Sequence, residues 1–192
     1  VGCGEGRFCR MLAERGATTT GIDPTAELIN AARGRHPQGT YLLEGAEDLP
    51  FGDAAFDLVV SYVTLCDIED YREAIAEMAR VLRPGGRLLV AVHNPFVTAA
   101  PNGWRRNERG EREVFPVDHY TFESAARVSW RGIEIVNYHR PLSAYLNAFL
   151  RERLVLRQVE EPLPSVEDIA VRPDIADYLR IAYFLVMEWR KP

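Results

Sequence analysis

The stretch VGCGEGRFCRMLAERGATTTGID, Val1 to Asp23, constrains the fold more than any other part of the chain. It reads as the end of one strand, a tight turn, a helix and a second strand. Gly2, Gly4 and Gly6 fall between strand end and helix start, where glycine tolerates φ > 0 and lets a ligand approach the backbone. The helix from about Arg7 offers unpaired amides to an anion. Asp23 closes the second strand 17 positions after Gly6. A carboxylate at that place accepts hydrogen bonds from ribose hydroxyls. Turn and acid together imply an adenosine-bearing ligand. A dinucleotide fingerprint puts its third glycine at the sixth motif position, which is Arg7 when counted from Gly2. The spacing therefore argues against a pyrophosphate lying tightly on this helix.

Short apolar runs and amphipathic segments alternate up to about Pro95, the signature of βαβ units around a parallel sheet. Strands are expected at TTTGID, TYLLEG, FDLVVSYV and GRLLVAVH, and helices at RFCRMLAERG, AELINAARGRH and DYREAIAEMARVLRP. In the third helix Ala74, Ile75, Met78, Ala79, Val81 and Leu82 form one apolar stripe at helical spacing, stopped by Pro84 and Gly85-Gly86. At 192 residues and 47% hydrophobic, the chain suits a single domain with one core. Only the last residue of the first strand precedes the turn. The expectation is therefore a fragment lacking that strand and a preceding helix.

Beyond His93 the regularity breaks. Asn94 to Tyr120 is long, polar and punctuated by proline and glycine, and long loops in compact domains are more often functional than idle. SAARVSW and IEIVNYHR flank Arg131-Gly132 and read as a hairpin, so residues 94–138 are expected to form a substrate-side insertion or lid. A helix at LSAYLNAFLRER, a strand at LVLRQVEE, a linker, a helix at PDIADYLR and a last strand YFLVMEWR complete the reading.

A net charge of −5 gives no electrostatic reason to expect a nucleic-acid partner, and the basic cluster WRRNERGER is broken by glutamates and reads as a solvated loop. Cys3, Cys9 and Cys66 suit neither a disulfide framework nor a metal site, so no metal and a cytoplasmic setting are expected. No apolar run approaches the roughly 20 residues that span a bilayer, and no membrane association is expected.

VGCGEGR, GIDPT, GAEDLPFGDAAFDLVVS and VLRPGGRLLV stand in the order found in class I S-adenosylmethionine-dependent methyltransferases of the small-molecule, UbiE-like type. The resemblance spans Val1 to Pro95. It implies an α/β, Rossmann-like doubly wound sheet of order 3-2-1-4-5-7-6 with an antiparallel last strand and an insertion after the fifth. It also implies S-adenosyl-L-methionine as cofactor and a small-molecule acceptor. Carried over residue by residue, Gly2, Cys3, Gly4 and Gly6 lie under the methionyl moiety, and Asp23, followed by Pro24, holds the ribose. Ala46 and Glu47 contact the adenine, and Ser61 and Tyr62 run beside the sulfonium. Many relatives have Asp where this chain has Gly45, a place Glu47 could fill.

Methyl transfer from a sulfonium depends mainly on positioning, an effect worth up to roughly 7–11 kcal/mol. A base matters only for an acceptor that must lose a proton. His93, at the carboxyl edge where open α/β sheets place ligands, is a candidate base, with Tyr62 and His139 as further catalytic candidates. Arg140 could face the acceptor beside His139, and His119 and Tyr120 could belong to the lid. Tyr145 reads as core and His36 as solvated. A non-catalytic S-adenosylmethionine-binding module and an NAD(P)-dependent oxidoreductase remain the competing readings. Neither the acceptor atom nor the oligomeric state is legible.

Overall fold

The computed structural model describes residues 1–100, 102–130 and 133–192. The expected hairpin tip, Arg131-Gly132, lies outside them. The first half follows the alternation in the sequence: α1 (Arg7–Ala13), β1 (Thr20–Asp23), α2 (Ala26–Arg35), β2 (Thr40–Leu43), β3 (Phe56–Tyr62), α3 (Tyr71–Val81) and β4 (Leu82–His93). After it come α4 (Pro95–Thr98), β5 (Arg105–Arg106), β6 (Arg112–Val114), β7 (Ser124–Trp130), β8 (Ile133–His139), α5 (Leu142–Arg151), β9 (Val155–Glu160), α6 (Val166–Val171), a 3-10 segment (Pro173–Leu179) and β10 (Phe184–Arg190).

The main strands form two sheets rather than one of seven. β1 and β2 pair in parallel as one unit, while β3, β4, β10 and β9 form a second sheet in that order, with β10 antiparallel to both neighbours. Between β1 and β3 runs only the entry to the glycine turn. The Val1 amine donates to the Val60 carbonyl at 2.8 Å, and the Cys3 amide to that of Ile22 at 2.8 Å. Two bonds do not make a ladder, so the sheet is divided there. A small cleft of about 50 Å³ remains, lined by Val1, Ile22, Leu49, Phe56, Leu58 and Val81 among others.

The main core lies where α3 and α5 cover one face of the second sheet. The α3 stripe places Tyr71, Ala74, Ile75 and Met78 against Leu88, Val90 and Val92, and Phe149 of α5 stacks on Trp189 of β10 at 4.8 Å. Asp70 caps α3 by accepting from the Glu73 amide. α3 ends at Val81, earlier than expected, because Leu82–Pro84 are drawn into β4 and Leu82 pairs with Phe56. The expected linker after β9 holds α6, fixed by a reciprocal bond pair between Ser165 and Asp168. The segment expected as a helix at PDIADYLR is 3-10. Among the described residues no helix is long and apolar enough to cross a membrane.

Candidate active site at the carboxyl ends of the strands

The turn and the acid meet as their spacing suggests. One carboxylate oxygen of Asp23 accepts from the Gly4 amide at 2.9 Å and the other from the Thr25 amide at 3.0 Å. Asp23 is only 7% exposed. An ionised carboxylate has about four acceptor sites, so two remain, one on each oxygen. The glycines divide the work. A Cβ on Gly6 would lie 2.8 Å from the Tyr41 ring, whereas one on Gly4, at φ +52°, would meet nothing within 4 Å. Gly6 is thus required by packing, and Gly4 presents the open side of the turn. Gly2 and Cys3 lead into it, Cys3 partly buried, and Pro24 is exposed after Asp23.

Beyond β2, Ala46 is buried and Glu47 exposed. Glu47 folds back so that its Oε2 stands 3.0 Å from where a Cβ on residue 45 would be. Its carboxylate therefore lies close to where an aspartate at 45 would carry its own. At the end of β3, Ser61 is fully buried and its hydroxyl has no partner among the described residues, while Tyr62 is 46% exposed. The open turn, the two free acceptor sites and the orphaned hydroxyl fit an adenosine-bearing cofactor with a charged tail.

The three candidate catalytic side chains have different surroundings. His93 ends β4 beside the rings of Tyr183 and Phe184, at 5.4 and 5.7 Å. Burial lowers its pKa below the ordinary value, so the ring is neutral near pH 7. Tyr62 lies between Phe8 and Phe184, at 4.7 and 6.4 Å. The His139 ring is committed on both sides: Nε2 donates to the Tyr120 carbonyl at 2.9 Å and Nδ1 accepts from the Thr98 hydroxyl at 2.7 Å. It joins the hairpin to the segment after β4. Arg140 does not face an acceptor. It is 2% exposed, and its guanidinium donates to the carbonyls of Leu65 at 2.5 Å, Ile68 at 2.5 Å and Glu69 at 3.0 Å.

The remaining candidates follow. Tyr120 accepts from the Leu142 amide at 3.0 Å and stacks on Phe96 at 5.1 Å, whereas His119 is exposed. Tyr145 is in the core, packed edge-on against Tyr71 at 5.5 Å. His36 is not simply solvated, since its Nδ1 lies 3.1 Å from the Tyr41 hydroxyl. Within the basic cluster, Arg106 donates to the Gly110 carbonyl at 2.6 Å and Arg112 pairs with Asp177. Sequence reasoning missed Asp67, in the loop after β3. Its Oδ1 accepts from Asn137 at 3.1 Å, and partial burial lifts its carboxyl above the usual range. Its position six residues after Ser61, at a strand's carboxyl end, was the available signal.

Comparison with known proteins gives a consistent result. The methyltransferase domain family matches residues 1–90. The crystal structure of an S-adenosylmethionine-dependent methyltransferase from Mesorhizobium loti is 30% identical with a TM-score of 0.87, the match covering 99% of this chain and 88% of that one. A Listeria monocytogenes protein described in the same terms is 26% identical with a TM-score of 0.89, over 100% of this chain and 88% of its own. The malonyl-[acyl-carrier protein] O-methyltransferase of Serratia marcescens is 41% identical over 89 residues, 46% of this chain and 35% of that protein. The chain matches less than half the length of such curated relatives.

Proposed function

Because this chain belongs to the S-adenosylmethionine-dependent methyltransferases, we propose that it binds S-adenosylmethionine across the glycine turn and transfers the methyl group to a small-molecule acceptor. The observation that carries this reading is the Asp23 carboxylate, bonded to Gly4 and Thr25 with one acceptor site left on each oxygen. Those two sites match the two hydroxyls of a ribose.

Gly4 leaves room for the methionyl part beside the turn. Glu47 accepts from the exocyclic amine of the adenine in place of an acid at residue 45, beside the buried Ala46. Ser61 offers its unpartnered hydroxyl, and Tyr62 borders the reacting end. When bound, the sulfonium supplies an already activated methyl group. The protein's task is to hold donor and acceptor in line and to keep water out. Residues 94–138 serve as the cover. In support, β8 docks on the loop after β3, with the Tyr138 amide donating to the Cys66 carbonyl at 2.7 Å. His93, neutral and at the carboxyl edge, is the base where the acceptor must lose a proton.

Calorimetric titration with S-adenosylhomocysteine tests the reading. Asp23→Ala is expected to weaken binding by about 1.5–3 kcal/mol, the range for hydrogen bonds to a charged group. Unchanged affinity in a folded variant overturns the assignment.

A further inference from the structure

A row of aromatic rings runs along the carboxyl ends of β3 and β4 and the amino end of the antiparallel β10. It starts at Phe8, two residues past Gly6 in the first turn of α1, and passes to Tyr62 at 4.7 Å and Phe184 at 6.4 Å. From Phe184 it continues to Tyr183 at 5.3 Å and His93 at 5.7 Å. The Tyr62 ring is the most exposed of these. Ring faces carry negative charge density and attract cations.

The charged groups on this side match that preference. Asp67 follows Tyr62 by five residues, keeps an exposed face, and acts electrostatically on His93. Arg140, which follows β8 and reaches into that loop, is buried and taken up by three of the loop's backbone carbonyls. An anionic acceptor would therefore meet a carboxylate and the negative faces of the rings.

Resting on the function proposed above, we propose that the acceptor is a small molecule with a cationic amine, held over Tyr62 and Phe184 with Asp67 as its counter-charge, and that this nitrogen takes the methyl group. The ammonium proton passes to the neutral His93 ring, whose imidazolium the nearby Asp67 favours. The freed nitrogen lone pair forms the new bond to the methyl carbon. The carbon–sulfur bond breaks with its pair left on sulfur, and His93 returns the proton to water.

The test uses phenethylamine, 2-phenylethanol and 3-phenylpropionate, each titrated into the protein saturated with S-adenosylhomocysteine. The amine is expected to bind at least tenfold more tightly than the alcohol or the acid. Asp67→Asn, close in shape, is expected to weaken amine binding about tenfold and leave the alcohol unchanged. Equal binding of amine and alcohol, tighter binding of the acid, no binding of any probe, or an Asp67→Asn variant that keeps the preference overturns the proposal. Each of these outcomes leaves the cofactor reading standing as long as S-adenosylhomocysteine binds. Failure of the unaltered protein to bind it overturns that reading instead.

Discussion

At the scale of single residues, the two central glycines make opposite demands. Gly4→Ala places a non-glycine residue in the left-handed region, at about 1–2 kcal/mol, but meets no neighbour. It is expected to fold and to lose S-adenosylhomocysteine affinity by tenfold or more in calorimetry. Gly6→Ala drives a methyl into Tyr41 and is expected to lower the melting temperature more than Gly4→Ala does. The pH dependence of stability reads His93 as well. Because burial lowers the His93 pKa in the folded chain, the unfolded chain binds more protons below the usual 6.5. The contribution of His93 to stability is thus complete above that pH and is lost as pH falls toward the lowered value. Asp67 acts with the opposite sign from the usual 3.8 upward, since its pKa is raised. Urea midpoints between pH 7.5 and 5.5 are expected to fall for the unaltered protein and to flatten in His93→Phe.

At the scale of elements, the hairpin is fixed by residues far away in sequence. Arg140→Ala leaves the carbonyls of Leu65, Ile68 and Glu69 without their donor, each at about 1–3 kcal/mol where it stays buried. A loss of at least about 2 kcal/mol is expected, with faster hydrogen exchange at the Tyr138 amide that binds Cys66. These contacts also mark the limit of what the sequence made legible. The turn, Asp23 and the helix-strand alternation are local patterns, and they could be read directly. Arg140 meets Leu65 across 75 positions, and no periodicity announces such a contact. The bond between Asp67 and Asn137 likewise spans 70 positions, although the place of Asp67 just after a strand is local. The helix at Val166–Val171 was missed because its side chains bury nothing, so no apolar stripe betrays it and only its cap residues hold the signal.

At the scale of the whole molecule, the divided sheet dominates. Among the described residues, β1 and β3 are joined by the backbone bonds from Val1 to Val60 and from Cys3 to Ile22. Within the second sheet, β10 reaches from the core to the ring row: Trp189 near its carboxyl end stacks on Phe149 at 4.8 Å, and Phe184 at its amino end meets Tyr62 at 6.4 Å. It acts as a strut between stability and site. Phe149→Ala, at about 3–5 kcal/mol for a buried aromatic, is expected to lower the melting temperature, and a shift in the position of Phe184 is expected with it.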